Sequence, residues 1–345
     1  MGKIPDEKNR VMIHVKPATL QMPSWQIQLA NAIKDPKQLL IALNLSEAYL
    51  PRIEQAHQLF PLRVTQSYLD RIEKNNIDDP LLRQILPSEY ETLDSNDYQI
   101  DPVGDKAAEK TPGLIHKYKH RVLLTLTSAC AIHCRYCFRR HFDYSVSNPV
   151  KNWKNCLSYI QNHSDISEVI LSGGDPLSLN DRRLKNMIQD LESIEHVDTC
   201  RIHTRQVIVL PDRVDEALLD WMNSTRLKLV VVLHINHANE IDQSVCDAIA
   251  KLKNTGTTLL NQSVLLRGIN DKTPVLKELS HKLFSIGILP YYLHMLDKVQ
   301  GAAHYEVATE NALALMKSLK AELPGYLIPK LVQEIPGESS KTIIA

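Results

Sequence analysis

The stretch RVLLTLTSACAIHCRYCFRR, Arg121 to Arg140, decides how this chain is read. Its opening run is apolar and β-branched, the pattern of a buried strand. The residues after it set Cys130, Cys134 and Cys137 in one short loop beside Arg135, Arg139 and Arg140. The chain has only six cysteines, so half of them lie in this loop. A strand delivering three thiols to one place predicts a metal site at the strand's end.

Working outward, the same rhythm recurs. Strand-like runs begin at Arg121, Glu168 (EVILSGG), Thr199 (TCRIHTR), Lys228 (KLVVVLHI), Thr257 (TTLLNQSVLL) and Leu289 (LPYYLHML); from the second onward the starts are 31, 29, 29 and 32 residues apart. Helical patterns such as RRLKNMIQDLESI and VCDAIAKLK lie between them. A strand, a helix and a return need roughly 30 residues, so the fold class is α/β: an incomplete (βα)6 barrel of parallel strands, preceded by a helical region. Chemistry in such arrays gathers at the C-terminal ends of the strands. The cysteine loop follows the first strand, and SGGDP, Ser172 to Pro176, ends the second.

Upstream, WQIQLANAI, PKQLLIALNL and QSYLDRIEK carry helical spacing with no strand-like run, and Pro36, Pro51, Pro61, Pro80 and Pro87 punctuate them. The polar, breaker-rich stretch Asp101 to Gly113 reads as a linker. The expected organisation is a helical region over 1–110, the barrel over 111–328, and a C-terminal segment over 329–345.

Composition narrows the class. Hydrophobic residues make up 43% and charged residues 23% of 345, ordinary for a water-soluble globular chain. No run of about 18 apolar residues is present to span a membrane. The N-terminus lacks an apolar signal core, so a cytoplasmic location with reduced thiols is expected. Forty basic residues balance forty acidic ones, which weighs against a broad nucleic-acid face.

Thiolates spaced C-x3-C-x2-C suit zinc or an iron–sulfur cluster. Structural zinc wants four ligands, usually as two separated pairs, whereas Cys156, Cys200 and Cys246 stand singly and read as small buried residues. A 4Fe–4S cluster takes four thiolates; with three, one iron is left open to a small molecule. In SGGDP, Gly173 and Gly174 permit close backbone approach to a ligand and Asp175 favours a cation. The plain alternative is a βα turn.

With the aromatic Tyr136 before the last cysteine, this constellation resembles the radical S-adenosylmethionine enzymes. The resemblance implies a 4Fe–4S cluster on Cys130, Cys134 and Cys137, and S-adenosylmethionine received by Ser172, Gly173, Gly174 and Asp175. The C-terminus, YLIPKLVQEIPGESSKTIIA, is similar to that of the lysine 2,3-aminomutase family, and Lys341 stands where that family anchors pyridoxal phosphate. PGLIHKYKHRVLLTLTSAC, HINHANE, LLNQSVLLRGIND and PYYLHMLDKVQGAAHY look like further family segments. The family implies an isomerase that moves the amino group of L-lysine from Cα to Cβ. By match of motif, Arg139 takes the substrate carboxylate while Asp297 and Glu334 hold its distal ammonium. Glu334 stands where the free-lysine enzymes carry aspartate. Arg121, Tyr118 and Lys117 match the grip on the pyridoxal phosphate group, and His234 and Gln262 should face S-adenosylmethionine or pyridoxal phosphate.

The chain stops four residues after Lys341, and Lys272 stands where the longer free-lysine enzymes carry a zinc cysteine. It thus resembles the branch that makes (R)-β-lysine for elongation factor P, to which a separate ligase attaches it. The implied partners are L-lysine, elongation factor P with its ligase as a functional link, and a flavodoxin- or ferredoxin-type electron donor, with no nucleic acid and no membrane. An oligomer is possible. Competing readings are a catabolic or osmolyte-forming lysine 2,3-aminomutase, an RNA-modifying radical enzyme, and a non-enzymatic iron–sulfur electron carrier.

Overall fold

The computed structural model describes residues 24–93, 95–147 and 149–345; the N-terminal stretch expected to lack a signal core lies outside them. Ten strands form one sheet in sequence order: β1 Glu109–Thr111, β2 Leu114–Tyr118, β3 Arg121–Thr125, β4 Glu168–Ser172, β5 Thr199–Thr204, β6 Lys228–His234, β7 Thr258–Val264, β8 Leu289–His294, β9 Lys330–Gln333 and β10 Thr342–Ile343. β3 to β9 are parallel, while β1–β2–β3 and β9–β10 are antiparallel. β1 and β10 are not paired with each other, so the barrel is open.

All six expected strands form, with helices Trp153–Gln161, Asp181–Glu192, Glu216–Ser224, Gln243–Asn254, Thr273–Ser285 and Thr309–Glu322 completing six βα units. Asx residues start three of these helices. The side chains of Asn180, Asp215 and Asp242 accept from the backbone N–H groups of Arg183, Leu218 and Val245 at 3.0 Å, satisfying donors that a helix start leaves free. The helices cover the sheet with Leu184, Ile188, Trp221, Ile249 and Leu279, packed on Val169, Leu171, Ile202 and Val231 in one core. Burying each such side chain contributes about 1.5–3 kcal/mol. No helix among the described residues is long and apolar enough to cross a membrane.

Two expectations are corrected. Asp101–Gly113 is no linker: it folds as a short helix, Asp105–Ala108, and β1, and its Asp105 is buried. QSYLDRIEK is helical only over Gln66–Leu69; the turns after it return to the N-terminal helices, where the Asn75 N–H donates to the Leu43 carbonyl at 2.9 Å. Of the lone cysteines, Cys156 and Cys200 are buried and Cys246 is half-exposed.

The N-terminal helices have their own core, Trp25, Leu39, Leu62, Tyr68 and Leu82, which extends to Ala131, Ile132 and Cys134 of the cysteine loop. A buried ionic triad reinforces that junction. Arg135 donates twice to Glu91, at 2.8 and 2.6 Å, and Arg140 donates to the same carboxylate at 2.8 Å. Removing one member of a buried ion pair leaves uncompensated charge and costs about 3–5 kcal/mol. Glu91→Gln should therefore lower the unfolding free energy by that much and move the urea midpoint down accordingly. An unmoved midpoint would show that water already reaches the two guanidiniums.

Candidate active site

Thr125 and Ser172 pair at the ends of β3 and β4, so the cysteine loop and the SGGDP turn leave the sheet side by side. The Gly174 N–H donates to the Thr127 carbonyl at 2.6 Å and that of Asp175 to Ala129 at 2.8 Å. A Cβ on Gly174 would lie 2.5 Å from the Ala129 carbonyl oxygen, and one on Gly173, where φ is +120°, 2.8 Å from that of Thr127. The glycines thus press this turn against the cysteine loop and fix where the thiols sit. Asp175, expected to favour a bound cation, instead accepts from the Thr204 hydroxyl and the backbone N–H groups of Leu177, Arg205 and Gln206 at 2.7–3.1 Å. Burial raises its pKa to about 6 despite these bonds. Its carboxylate ties β4 to β5 and has little capacity left for a ligand.

Cys130, Cys134 and Cys137 are free and half-buried. Burial pushes the Cys130 thiol well above its ordinary value and Cys137 to about 11, and the charge of Cys134 adds to both shifts. Such thiols stay protonated until a cation deprotonates them. Among the described residues, no three His, Cys, Asp or Glu side chains converge on a single ion. A cubane binds each cysteine through a different iron, so three thiols in one loop suit a cluster better than one tetrahedral ion.

From the last cysteine an ionic chain runs across the barrel mouth. Arg139, buried and stacked on Phe138, donates to Asp105 at 2.9 Å and to the Ser172 hydroxyl at 3.1 Å. Lys117 bridges Asp105 at 2.7 Å and Glu334 at 3.3 Å. The Tyr118 hydroxyl donates to Glu334 at 2.7 Å, and Lys341 is ion-paired with the same carboxylate. Burial would raise the Glu334 pKa, but Lys341 and Lys117 bring it down to about 2. Strand β10 pairs with β9, so Thr342 lies opposite Gln333; the tail docks, and Lys341 reaches inward.

Expected roles are redistributed here. Lys117 and Tyr118, matched to a phosphate grip, are bound to Glu334 and Asp105. Arg121 stacks over the Tyr118 ring at 4.9 Å and has no carboxylate partner among the described residues. Asp297 and Glu334 line one cavity of about 190 Å³ with Gln99, Gln333 and Pro336. Burial raises Asp297 to about 7, against the pull of Lys341.

The far wall is histidine-rich. His234 and Gln262 are register partners on β6 and β7 and are hydrogen-bonded to each other. Burial, with Arg205 and Arg139 nearby, holds His234 at about 3, hence neutral. Sequence reading missed His203 on β5 and His294 on β8. Burial pushes both well below the ordinary histidine value, Lys341 contributes in each case, and each keeps a buried Nε2 without a partner. Unpaired buried polar atoms on this wall mark space for a polar ligand. Alternation in TCRIHTR could have flagged His203 as inward-facing; Asp105, inside an apparent linker, left no such signal.

Comparison with known proteins identifies the family. Residues 120–207 match the family model described as a 4Fe-4S single cluster domain. The L-lysine 2,3-aminomutase of Haemophilus influenzae is 48% identical over 332 residues, spanning 96% of this chain and 98% of that protein. The Escherichia coli protein of the same name is 47% identical, spanning 96% and 97%. That of Clostridium subterminale is 33% identical, spanning 92% of this chain but 77% of that protein. Near full-length similarity at this level places the chain in the L-lysine 2,3-aminomutase family.

Proposed function

We propose that this protein is a radical S-adenosylmethionine isomerase that converts (S)-α-lysine to (R)-β-lysine by 2,3-amino migration, with pyridoxal phosphate anchored on Lys341. The observation that carries the reading is the docked tail: Lys341 faces the same interior as Arg139, His203, His234 and His294. A cluster with S-adenosylmethionine supplies a primary radical able to take an unactivated hydrogen, and pyridoxal phosphate supplies a carrier for the migrating amino group. The chain's residues bind and orient. Arg139 presents a guanidinium for the substrate carboxylate, while Asp297 and Glu334 offer carboxylates to its distal ammonium. Lys117, Tyr118 and Asp105 hold Glu334 and Arg139 in place, and Arg121 is available to the cofactor phosphate. Serine and glycine backbone at 172–174, with neutral His234 and Gln262, line the approach to S-adenosylmethionine. Mass analysis with chiral separation of anaerobic reactions containing lysine, S-adenosylmethionine and a reductant tests this; absence of β-lysine would refute it.

We assign the β-lysine to modification of elongation factor P by a separate ligase, with a flavodoxin- or ferredoxin-type donor and a cytoplasmic location. Support comes from the resemblance of HMLDKVQGAAH, His294 to His304, and of SKT, Ser340 to Thr342, to the branch serving elongation factor P. Lys272, in the place of a zinc cysteine, sits at the N-cap of helix Thr273–Ser285. Comparing free lysine with elongation factor P carrying α-lysine tests the order of steps; failure to turn over free lysine overturns it.

The raised Asp297 carboxyl predicts a pH dependence. Below about 7 it is protonated and cannot pair with an ammonium, so kcat/KM for lysine should rise as pH increases through that value. Stability moves the opposite way: because the folded-state pKa is raised, this group's contribution is fully present below the unfolded carboxyl pKa and is lost as pH rises through about 7. Asp297→Asn should flatten both dependences; a kcat/KM limb that persists in the variant would assign the titration elsewhere.

A further inference from the structure

Arg205 is the residue whose chemistry the reading above leaves unused. It follows β5, is buried, and has its backbone N–H fixed on Asp175 at 2.7 Å. Its Nη1 donates to the Cys134 sulfur at 2.7 Å and to the Tyr136 hydroxyl at 2.6 Å. Its Nη2 donates to Gln84 at 2.7 Å, Glu240 at 2.9 Å and the Tyr68 hydroxyl at 3.3 Å. Glu240 is itself immobilised, accepting from the backbone N–H groups of Asn236 at 2.9 Å and His237 at 3.1 Å. The guanidinium is thus held from several sides with one N–H aimed at a thiol of the C-x3-C-x2-C loop.

We propose that Arg205 is a positioning residue that sets the reduction potential of the cluster through Cys134, with Glu240 as the counter-charge that limits its effect. The inference rests on the cluster reading under Proposed function. One-electron reduction adds negative charge that spreads onto the cluster sulfurs and their thiolate ligands. A fixed cationic donor on one thiolate stabilises the reduced state more than the oxidised one, raising the potential. The guanidinium also lies in a buried setting where its field is weakly screened. Glu240, ion-paired on the other side, offsets part of that field. The apolar and aromatic surroundings, with Tyr68 and Tyr136 beneath the guanidinium at 5.5 and 5.8 Å, keep water from replacing the bond.

The test uses anaerobically reconstituted full-length protein, with iron and sulfide counted and the midpoint read by spin-resonance redox titration without S-adenosylmethionine. Arg205→Lys keeps a cation but moves it off the sulfur; its reduction equilibrium should weaken about tenfold, a downward shift of about 59 mV for one electron. Glu240→Gln removes the counter-charge and should shift the midpoint upward by a similar step. A fully loaded Arg205→Lys protein whose midpoint is unmoved or higher would overturn the proposal. Should that variant not fold, an unmoved midpoint in Glu240→Gln overturns it equally. Wild-type protein that takes up no iron would instead overturn the cluster reading, and this inference with it.

Discussion

Lysine turnover falls by about 10⁴-fold or more in Lys341→Ala, the expectation when a residue that anchors a reacting cofactor is removed. The fold should survive the change, because the tail is held by the pairing of β9 with β10 and by packing of Ile344 and Ala345 on the main core rather than by this side chain. Glu334 should stay ionised as well, since Lys117 and Tyr118 still contact it. The loss therefore reports the amine itself. Two measurements separate anchoring from ion pairing. Wild-type protein given pyridoxal phosphate should turn yellow, and borohydride should fix the cofactor to the peptide containing Lys341; in Lys341→Ala neither should occur. Lys341→Arg keeps the ion pair with Glu334 but cannot anchor the cofactor, so it should be as inactive as the alanine variant while melting like wild type. A yellow, borohydride-fixable chromophore persisting in Lys341→Ala would place the anchor on another lysine.

What the sequence disclosed and what it hid divide along the range of the interactions. The six strand starts were legible because each buried strand is a local apolar run, and Thr125, Ser172 and His234 sit where those runs end. The cysteine loop was legible because its three ligands are close in sequence. Asp105 was not: one acid in a polar, proline-flanked stretch looks like solvated surface, and only the pairing of β1 with β2 carries it to Arg139 and Lys117. The role of Asp175 was misread for a related reason. Its partners Thr204, Arg205 and Gln206 come from the next unit, and no local pattern distinguishes a carboxylate that ties two strands from one that awaits a cation. His203, His294 and Arg205 acquire meaning only when strands some 30 residues apart stand side by side. The contact of the N-terminal helices with the cysteine loop is longer in range still, and it joins Glu91 to Arg135 across 44 residues.

Alanine at Cys130, Cys134 or Cys137 should each abolish reductive cleavage of S-adenosylmethionine and leave the reconstituted protein nearly colourless, because a three-thiolate cluster already lacks one protein ligand and two cannot hold it. The contrast with the other cysteines makes the result specific. Cys156→Ala and Cys200→Ala remove buried sulfurs from the main core and should cost only about 1 kcal/mol of stability each, with iron content unchanged. Cys246→Ala, on a half-exposed helix face, should cost less. The loop variants should still anchor pyridoxal phosphate at Lys341, since the strands that hold the tail, β9 and β10, pair with β8 and with each other and not with the cysteine loop. A loop variant that lost both cofactors would mean that the loop shapes the whole barrel mouth. Retained iron and retained cleavage in all three variants would leave the cysteines structural, and hydrogen abstraction by a cluster-generated radical would then have no place in this protein.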